Sequence, residues 1–336
     1  MRAGDRSLVI VGCHADRFAL RKSLAGRNYL TPPPSEPEFP RALRRIIDAE
    51  RIDLLIPNSE ADVGTMSELR DRLPGHTFLP RKEVIELCQD KYALTMFLKR
   101  RGLPVPLTYP VTGVRDIQKL FRRLRRHSQL WCRIRRGSGS IGAIPVKTPG
   151  QARGWIRYWE EMREVSKGSF TLSEYLPGRD FCVQSLWKDG RLVLAKMHER
   201  LSYHIAGSSA SGVSSTAALA KTILIPRIAR ICAKAVRAVD PKASGVFFVD
   251  LKENDRGTPC ITEINAGRFA NVSTIHDLAG KYNMAATYVR LAIGGRVGWR
   301  EKYEPAGDCY VMRDLDALPL IFRARDLYTR VKDVRE

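Results

Sequence analysis

The sequence predicts an α/β protein, α+β overall, with an open parallel sheet at the N-terminus followed by two α+β units. Three observations predict it. Short apolar runs alternate with helix-period segments through residues 8–87, the signature of βα units in a parallel sheet. Past residue 90 this gives way to paired strand segments with helices between them. Two further apolar runs, 245–252 and 259–265, flank the turn-forming Asn254-Asp255-Arg256-Gly257 and read as a hairpin.

In order, 8–12 reads as a strand, 42–50 as an amphipathic helix and 52–57 as a buried strand. Residues 63–73 read as a helix, 77–79 as a short strand and 82–87 as a short helix. The segment from Thr31 to Pro37, with three consecutive prolines, is a stiff connector. A helix runs from Asp90 to Arg101, is closed by Gly102, and is stopped by Leu103-Pro104-Val105-Pro106. Helices are expected at 114–126 and 151–162. The units are therefore drawn as 1–90, 91–168 and 169–336.

The 336 residues can form two or three subdomains with real cores. No apolar run approaches the roughly 18 residues of a membrane span, and no secretory leader pattern opens the chain. Seven dispersed cysteines without a Cys-x-x-Cys read as reduced thiols of a cytoplasmic enzyme. His-Glu-x-x-His is absent, which argues against a zincin. Arginine supplies 41 of 57 basic residues in a chain of net charge +21. The densest run, Arg122-Arg123-Leu124-Arg125-Arg126, has no RNP or helix-turn-helix pattern beside it, so nucleic acid is not the expected partner.

Three motifs carry chemistry. In the hairpin, a four-residue loop at 255–258 would set Asp250 opposite Glu263, with Asn265 two residues on and on the same face. Like charges about 5 Å apart across a ladder are unfavourable, and a hard divalent cation reverses the sign. A solvated hairpin with incidental acids fits the same residues. The second motif, Gly137-Ser138-Gly139-Ser140-Ile141-Gly142, spells G-x-G-x-x-G but precedes an extended segment with Pro145, not the helix a dinucleotide fold requires. A loop between strands can fold over phosphates through its N–H groups; it can equally be a plain hairpin. A kinase reading fails, because Met312-Arg313-Asp314-Leu315 is followed by Pro319 where an Asn should stand. The third motif, Glu174-Tyr175-Leu176-Pro177-Gly178-Arg179-Asp180, could place an acid on an adenine amino group, backbone on the ring edge and a second acid on ribose hydroxyls. A β-turn at Pro177-Gly178 explains it too.

Taken in order, these motifs resemble the ATP-grasp superfamily, specifically its carbamoyl-phosphate synthetase large-subunit-like group. The matching elements are Asp90-Lys91 with the helix ending before Gly102, the strand bearing Arg133 before the Gly/Ser loop, the 174–180 segment, Asp250, and Glu263-Ile264-Asn265. The resemblance spans about residues 50–293. It implies an ATP-grasp fold whose two α+β subdomains clamp ATP after the N-terminal domain. It further implies that Lys91 and Arg133 contact ATP phosphates, with residues Gly137, Ser138, Gly139, Ser140 and Gly142 as the phosphate flap. Glu174, Tyr175, Leu176 and Asp180 would hold adenosine, and Asp250, Glu263 and Asn265 would ligate Mg2+, or Mn2+ in its place. Most of the superfamily has Lys-Pro where this chain has Arg133-Ile134; the synthetase branch uses Arg.

Two departures stand out. The family's Glu-x-Asn-x-Arg becomes Glu263-Ile264-Asn265-Ala266-Gly267-Arg268, moving the catalytic arginine by one position. Residues 8–34 resemble the second strand unit of the family's N-terminal domain, so the first βα unit is expected to be missing. No second ATP-grasp half or glutaminase-type nucleophile is seen, and a complete carbamoyl-phosphate synthetase is not expected. The resemblance implies an ADP-forming ligase joining a small carboxylate to an amine through an acyl phosphate, with a carbamate- or carboxyphosphate-forming enzyme and a basic ATP-binding protein acting on nucleic acid as the alternatives. A homodimer is compatible with it. For the acceptor, Lys196, Arg200, Ser208 and Ser209 are the candidates, within a basic and hydroxyl-rich stretch that could equally be a surface loop. His198, His204 and His276 read as structural.

Overall fold

The computed structural model describes residues 5–214, 216–270, 277, 280–299, 301–304, 309–312 and 329–335. The first unit alternates as expected: β1 (Val11–His14), α1 (Arg17–Arg21), β2 (Arg27–Leu30), α2 (Phe39–Glu50), β3 (Leu54–Leu55), α3 (Glu60–Leu69), β4 (His76–Thr77) and α4 (Lys82–Gln89). β1 pairs with β2, and β3 with β4, both in parallel. The strands are shorter than, or offset from, the apolar runs. Val9 is 80% exposed, so the run at 8–12 overstates burial there. Pro57, at the end of the 52–57 run, has no N–H to extend a ladder.

The second unit comprises α5 (Lys91–Arg100), β5 (Thr108–Pro110), α6 (Val114–Arg123), β6 (Leu130–Ile134), β7 (Ile144–Val146), α7 (Pro149–Arg163) and β8 (Phe170–Glu174). Its four strands lie in the order β5-β8-β6-β7, every pair antiparallel. Ile117, Leu120 and Ile156 of the two helices bury against Leu130, Cys132, Phe170 and Leu172 of the sheet. α5 starts where Asp90 accepts the N–H groups of Tyr92 and Ala93 at 3.1 and 3.0 Å. It ends ahead of Gly102, whose φ of +67° suits glycine.

The third unit holds β9 (Asp180–Lys188), β10 (Arg191–Tyr203), β11 (Ala217–Thr222), α8 (Pro226–Val239), β12 (Gly245–Glu253), β13 (Pro259–Ala266), α9 (Met284–Ala292), β14 (Tyr310–Met312) and β15 (Val331–Asp333). Six strands form one antiparallel sheet, β13-β12-β9-β10-β11-β14. β15 returns to the first unit and pairs in parallel with β2, a link no local pattern announced. Both faces of the large sheet are covered. Phe181, Val183, Phe247 and Val249 meet α8, α4 and α5 on one side, while Leu186, Leu194 and Val246 meet α9 and Phe78 on the other. Double coverage explains why β9 and β12 are buried at nearly every position rather than on alternate residues. Fully buried Phe181 and Phe247 contribute roughly 1.5–3 kcal/mol each. The face bearing Val246 also carries Asp180, Arg200, Asp250 and Lys252, since they share its parity along paired strands. At one end of this face the apolar cover stops and a cleft begins.

Candidate active site

Asp250 pairs directly with Glu263 across β12 and β13, and Asn265 sits opposite Phe248 on the same face. The expected pairing is present, but by a different route. The loop is five residues, because Glu253 pairs with Pro259, and the register then shifts between Asp250 and Leu251. Thr262 is the extra residue of this β-bulge. Its hydroxyl donates to the Asp250 carbonyl at 3.1 Å, and its own carbonyl accepts from Arg133 Nη2 at 3.1 Å. The bulge thus restores the acid pair and supplies an anchor for Arg133.

Asp250 and Glu263 have opposite proton affinities. Burial pushes Asp250 up, and although Arg200 pulls it down, the Glu263 and Asp180 carboxylates reinforce the rise. Burial also acts against Glu263, but Lys91, Arg133 and hydrogen bonds from Asp250 and Asn265 outweigh it and hold its carboxyl below the usual range. Lys91 Nζ lies 3.5 Å from Glu263 Oε2 and also donates to the Gly137 carbonyl. Arg135 fixes Asp90 through a bidentate pair at 3.2 and 2.6 Å, which ties the start of α5 to the end of β6. Among the described residues, no three His, Cys, Asp or Glu side chains converge as a metal site. A hard cation here would rest on two carboxylates and the Asn265 oxygen, with phosphate or water completing its shell. That donor set fits Mg2+.

The glycine loop joins β6 to β7 and forms one wall of the cleft. Gly137, Gly139, Ser140 and Gly142 all have positive φ, which turns successive N–H groups away from a regular ladder. Ile134 packs beneath both ends, since a Cβ on Gly137 or Gly142 would lie 2.9 or 3.0 Å from it. Trp155 of α7 donates its indole N–H to the Gly142 carbonyl at 3.1 Å. Gly142 therefore supports the loop from behind, while residues 137–141 line the cleft.

The cleft is open to solvent and holds about 1040 Å³ of space between atoms when its mouth is counted. Besides the loop it is lined by Lys91, Arg133, Glu174, Tyr175, Leu176, Asp180 and Asp250. Trp131 and Tyr175 set an aromatic edge, their ring centroids 6.2 Å apart. Two acids are engaged differently from the sequence reading. Glu174 Oε1 accepts the Leu107 N–H at 2.8 Å, so this carboxylate also braces the chain after Pro106. Asp180 accepts from Arg200 Nη1 and from the Tyr203 hydroxyl, each at 2.6 Å.

The four acceptor candidates do not converge. Arg200 lies in the cleft, its Nη2 on Asp250 Oδ1 at 2.5 Å, where it bridges the two acids flanking it. Lys196 is corrected: it is 3% exposed and paired with Asp277 at 3.1 Å and Glu304 at 2.8 Å, so no substrate carboxylate reaches it. Ser208 and Ser209 belong to a turn outside the cleft lining, where Val213 and Ser214 stand instead. His276 and residues 313–319 lie outside the described residues. Lys252 and Tyr203 were missed. Lys252 is two residues from Asp250 and so on its face, a signal the period of a strand offers; Tyr203 carried no such signal.

Arg268 reaches the site despite its displaced position. Gly267 adopts φ +96° and turns the chain after β13. Arg268 then donates to Asn265 Oδ1 at 2.9 Å and lies over the Phe248 ring at 4.9 Å. Together with Asn265 it lines a second, smaller cleft that shares Lys91 and Glu263 with the first.

A parallel N-terminal unit, a four-stranded sheet with a glycine loop, and a six-stranded antiparallel sheet carrying paired acids define the ATP-grasp fold. No family model matches the sequence, and the likeness is seen in solved structures. A biotin carboxylase from Campylobacter jejuni, determined as a β-γ-ATP complex, is 15% identical with a TM-score of 0.70, covering 88% of this chain and 67% of that one. An L-amino acid ligase from Bacillus licheniformis is 16% identical, with a TM-score of 0.66 and coverage of 87% and 70%. A carboxyaminoimidazole ribonucleotide synthase from Aspergillus clavatus, complexed with ATP, is 13% identical, with a TM-score of 0.65 and coverage of 88% and 72%. The biotin carboxylase domain of the Hydrogenobacter thermophilus 2-oxoglutarate carboxylase is covered over 65% of its length, less than two thirds. What these proteins share with the chain is the fold. Among the described residues no helix is long and apolar enough to cross a membrane.

Proposed function

We propose that the protein is an ATP- and Mg2+-dependent ligase that joins a small-molecule carboxylate to an amine through an acyl phosphate, releasing ADP and phosphate. One observation carries this reading: a glycine loop with positive-φ residues lines one cleft together with a cross-strand carboxylate pair, Lys91 and Arg133. The solved structures bound to ATP or its analogue support the choice of nucleotide. On this reading the adenosine lies along Tyr175 and Leu176 beside Asp180, and the phosphates lie under residues 137–141. Bound to Asp250, Glu263 and Asn265, Mg2+ would neutralise phosphate charge. Lys91 and Arg133 hold the phosphoryl oxygens, and Arg268 stabilises the charge of the transferring group from the other side of Glu263. Phosphoryl transfer asks mainly for such positioning and charge stabilisation. The loop excludes water from the acyl phosphate until an amine attacks it. The unit bearing the loop and the unit bearing the acids meet at this cleft, but the boundary drawn at 168 falls short of β8, which completes the small sheet, and β15 pairs with the first unit; a homodimer is compatible with this reading.

The test is ADP release across panels of carboxylates and amines, with mass spectrometry of the product. Release that requires both partners and yields an amide is expected. Release with bicarbonate alone would move the reading to carboxyphosphate formation. Absence of nucleotide binding would overturn it.

A further inference from the structure

Arg200 and the acid Asp250 form a pair that the proposed reaction leaves without a role. On the large sheet, Arg200 of β10 stands opposite Asp180 of β9, and Asp180 stands opposite Lys252 of β12. The Arg200 side chain is 6% exposed, and its two arms part: Nη1 donates to Asp180 Oδ1 at 2.6 Å, Nη2 to Asp250 Oδ1 at 2.5 Å. Its Nε is buried and has no hydrogen-bond partner among the described residues. A buried guanidinium with one donor unanswered gains from a further acceptor. The two acids depend on it unequally. Asp180 also accepts from the Tyr203 hydroxyl at 2.6 Å, and Lys252 Nζ lies 3.3 Å behind that hydroxyl. Asp250 stands opposite another acid, Glu263, and its ion pair is with Arg200. A divalent cation on Asp250, Glu263 and Asn265 would meet this guanidinium as a rival. Arg200 occupies one oxygen of the carboxylate and sets a like charge beside the cation.

We infer that Arg200 is a counter-ion gate on the metal site: it holds Asp250 until a nucleotide phosphate draws Nη2 away and leaves the carboxylate to the cation. The inference rests on the ligase reading and adds to it that metal affinity is conditional on the nucleotide. Arg200 stands between Asp180, assigned to the ribose, and Asp250, assigned to the metal, so the phosphate next to the ribose is the one it meets. Nη1 stays on Asp180, and a single arm of the fork changes partner. No acid is left bare, because Asp250 exchanges the guanidinium for the cation and Asp180 keeps Tyr203. A cation alone must instead displace Arg200 with nothing to receive it.

The experiment measures Mn2+ binding, from the electron paramagnetic resonance of the free ion, in wild type, Arg200→Gln and Arg200→Lys. Each is measured with and without AMP, which carries the phosphate next to the ribose and no other. ADP binding is measured separately. Wild type is expected to bind Mn2+ several-fold tighter with AMP than without it. Arg200→Gln alone should bind Mn2+ tenfold or more tighter than wild type, the scale of one hydrogen bond between charged groups. Its gain from AMP should shrink, since the contact that coupled the two ligands is gone. Arg200→Lys keeps the charge without a fork to span both acids. It should move the same way by less, and it carries the test if Arg200→Gln does not fold. A folded variant that binds Mn2+ no better than wild type means that Arg200 only orients Asp250, and overturns the inference while the ligase reading stands. So does a wild type that binds Mn2+ equally with and without AMP, or one that binds ADP but not AMP. Failure of wild type to bind ADP overturns both.

Discussion

The two walls of the main cleft are made of different things. The wall from the large sheet presents charged side chains held in a network: Asp180, Arg200 and Asp250 are joined by ion pairs, and Glu263 lies within ion-pair reach of Lys91 at the start of α5. The wall from the small sheet presents backbone, with four positive-φ residues between Gly137 and Gly142 and few side-chain anchors. The first wall sits on a doubly covered sheet whose strands cannot shift without exposing Phe247 or Val246. The second hangs from Ile134, Trp155 and the Lys91 ammonium. A preorganised charged wall can stabilise developing charge, while a backbone loop can adjust its N–H groups to a ligand. The difference teaches where substitutions should bite hardest.

The largest effect is expected on the charged wall. Asp250→Asn and Glu263→Gln should each lower turnover by at least about 10²-fold, the cost of losing a preorganised charge stabiliser. Normal turnover in purified Glu263→Gln would remove the metal assignment. Arg133→Ala comes next. It should weaken ATP binding or slow transfer by about tenfold or more, since charge-assisted hydrogen bonds are lost. Replacing exposed Arg122, Arg123, Arg125 and Arg126 by Gln should leave turnover within about twofold, because those charges are screened over roughly 10 Å at 0.1 M salt. If the cluster variant loses activity and Arg133→Ala keeps it, the surface charge matters and the cleft assignment falls. Nucleic-acid affinity that drops with the cluster would show the alternative partner.

Stability should split the two cross-strand acids by pH. Asp250 has a raised folded pKa, so its contribution is fully present below the ordinary carboxylate range and is lost as pH rises through the folded value. Asp250→Asn without nucleotide should therefore equal or exceed wild type in Tm at pH 8, with the advantage shrinking toward pH 5; the Asn oxygen can still accept from Arg200. Glu263 has a depressed pKa, so its contribution is present above the ordinary range and is lost as pH falls through the folded value. Glu263→Gln should melt below wild type at neutral pH and converge with it in acid. Thermal melts at four pH values decide this, and shifts of the same sign for both variants would refute the opposite proton affinities.

The smallest effect concerns the backbone wall. Trp155→Phe keeps the ring packing but deletes the donor to Gly142. Hydrogen exchange at 139–143 should quicken by about three- to tenfold, as for one neutral hydrogen bond, with a comparable or smaller rise in KM for ATP. Unchanged exchange would mean that Ile134 and Lys91 hold the loop without it.

Local chemistry sufficed for much of this molecule. Asp90 as a helix cap, the parallel N-terminal units, the glycine loop and the Asp250–Glu263 pairing were legible because caps, periodicity and turn residues act within a few positions of one another. Even there, the pairing stood on two offsetting differences, a five-residue loop and a bulge at Thr262. Lys196 and Arg200 show the boundary. They lie four residues apart on one strand and on one face, so the sequence could not separate them. The Asp277 and Glu304 carboxylates pair with Lys196 and neutralise it, whereas Arg200 stands in the cleft between Asp180 and Asp250. Sequence set which side chains could meet a face, because that depends on neighbours along the chain. Which of them meet solvent, a partner charge or each other was decided by contacts between segments far apart in the chain, and no local period encodes those.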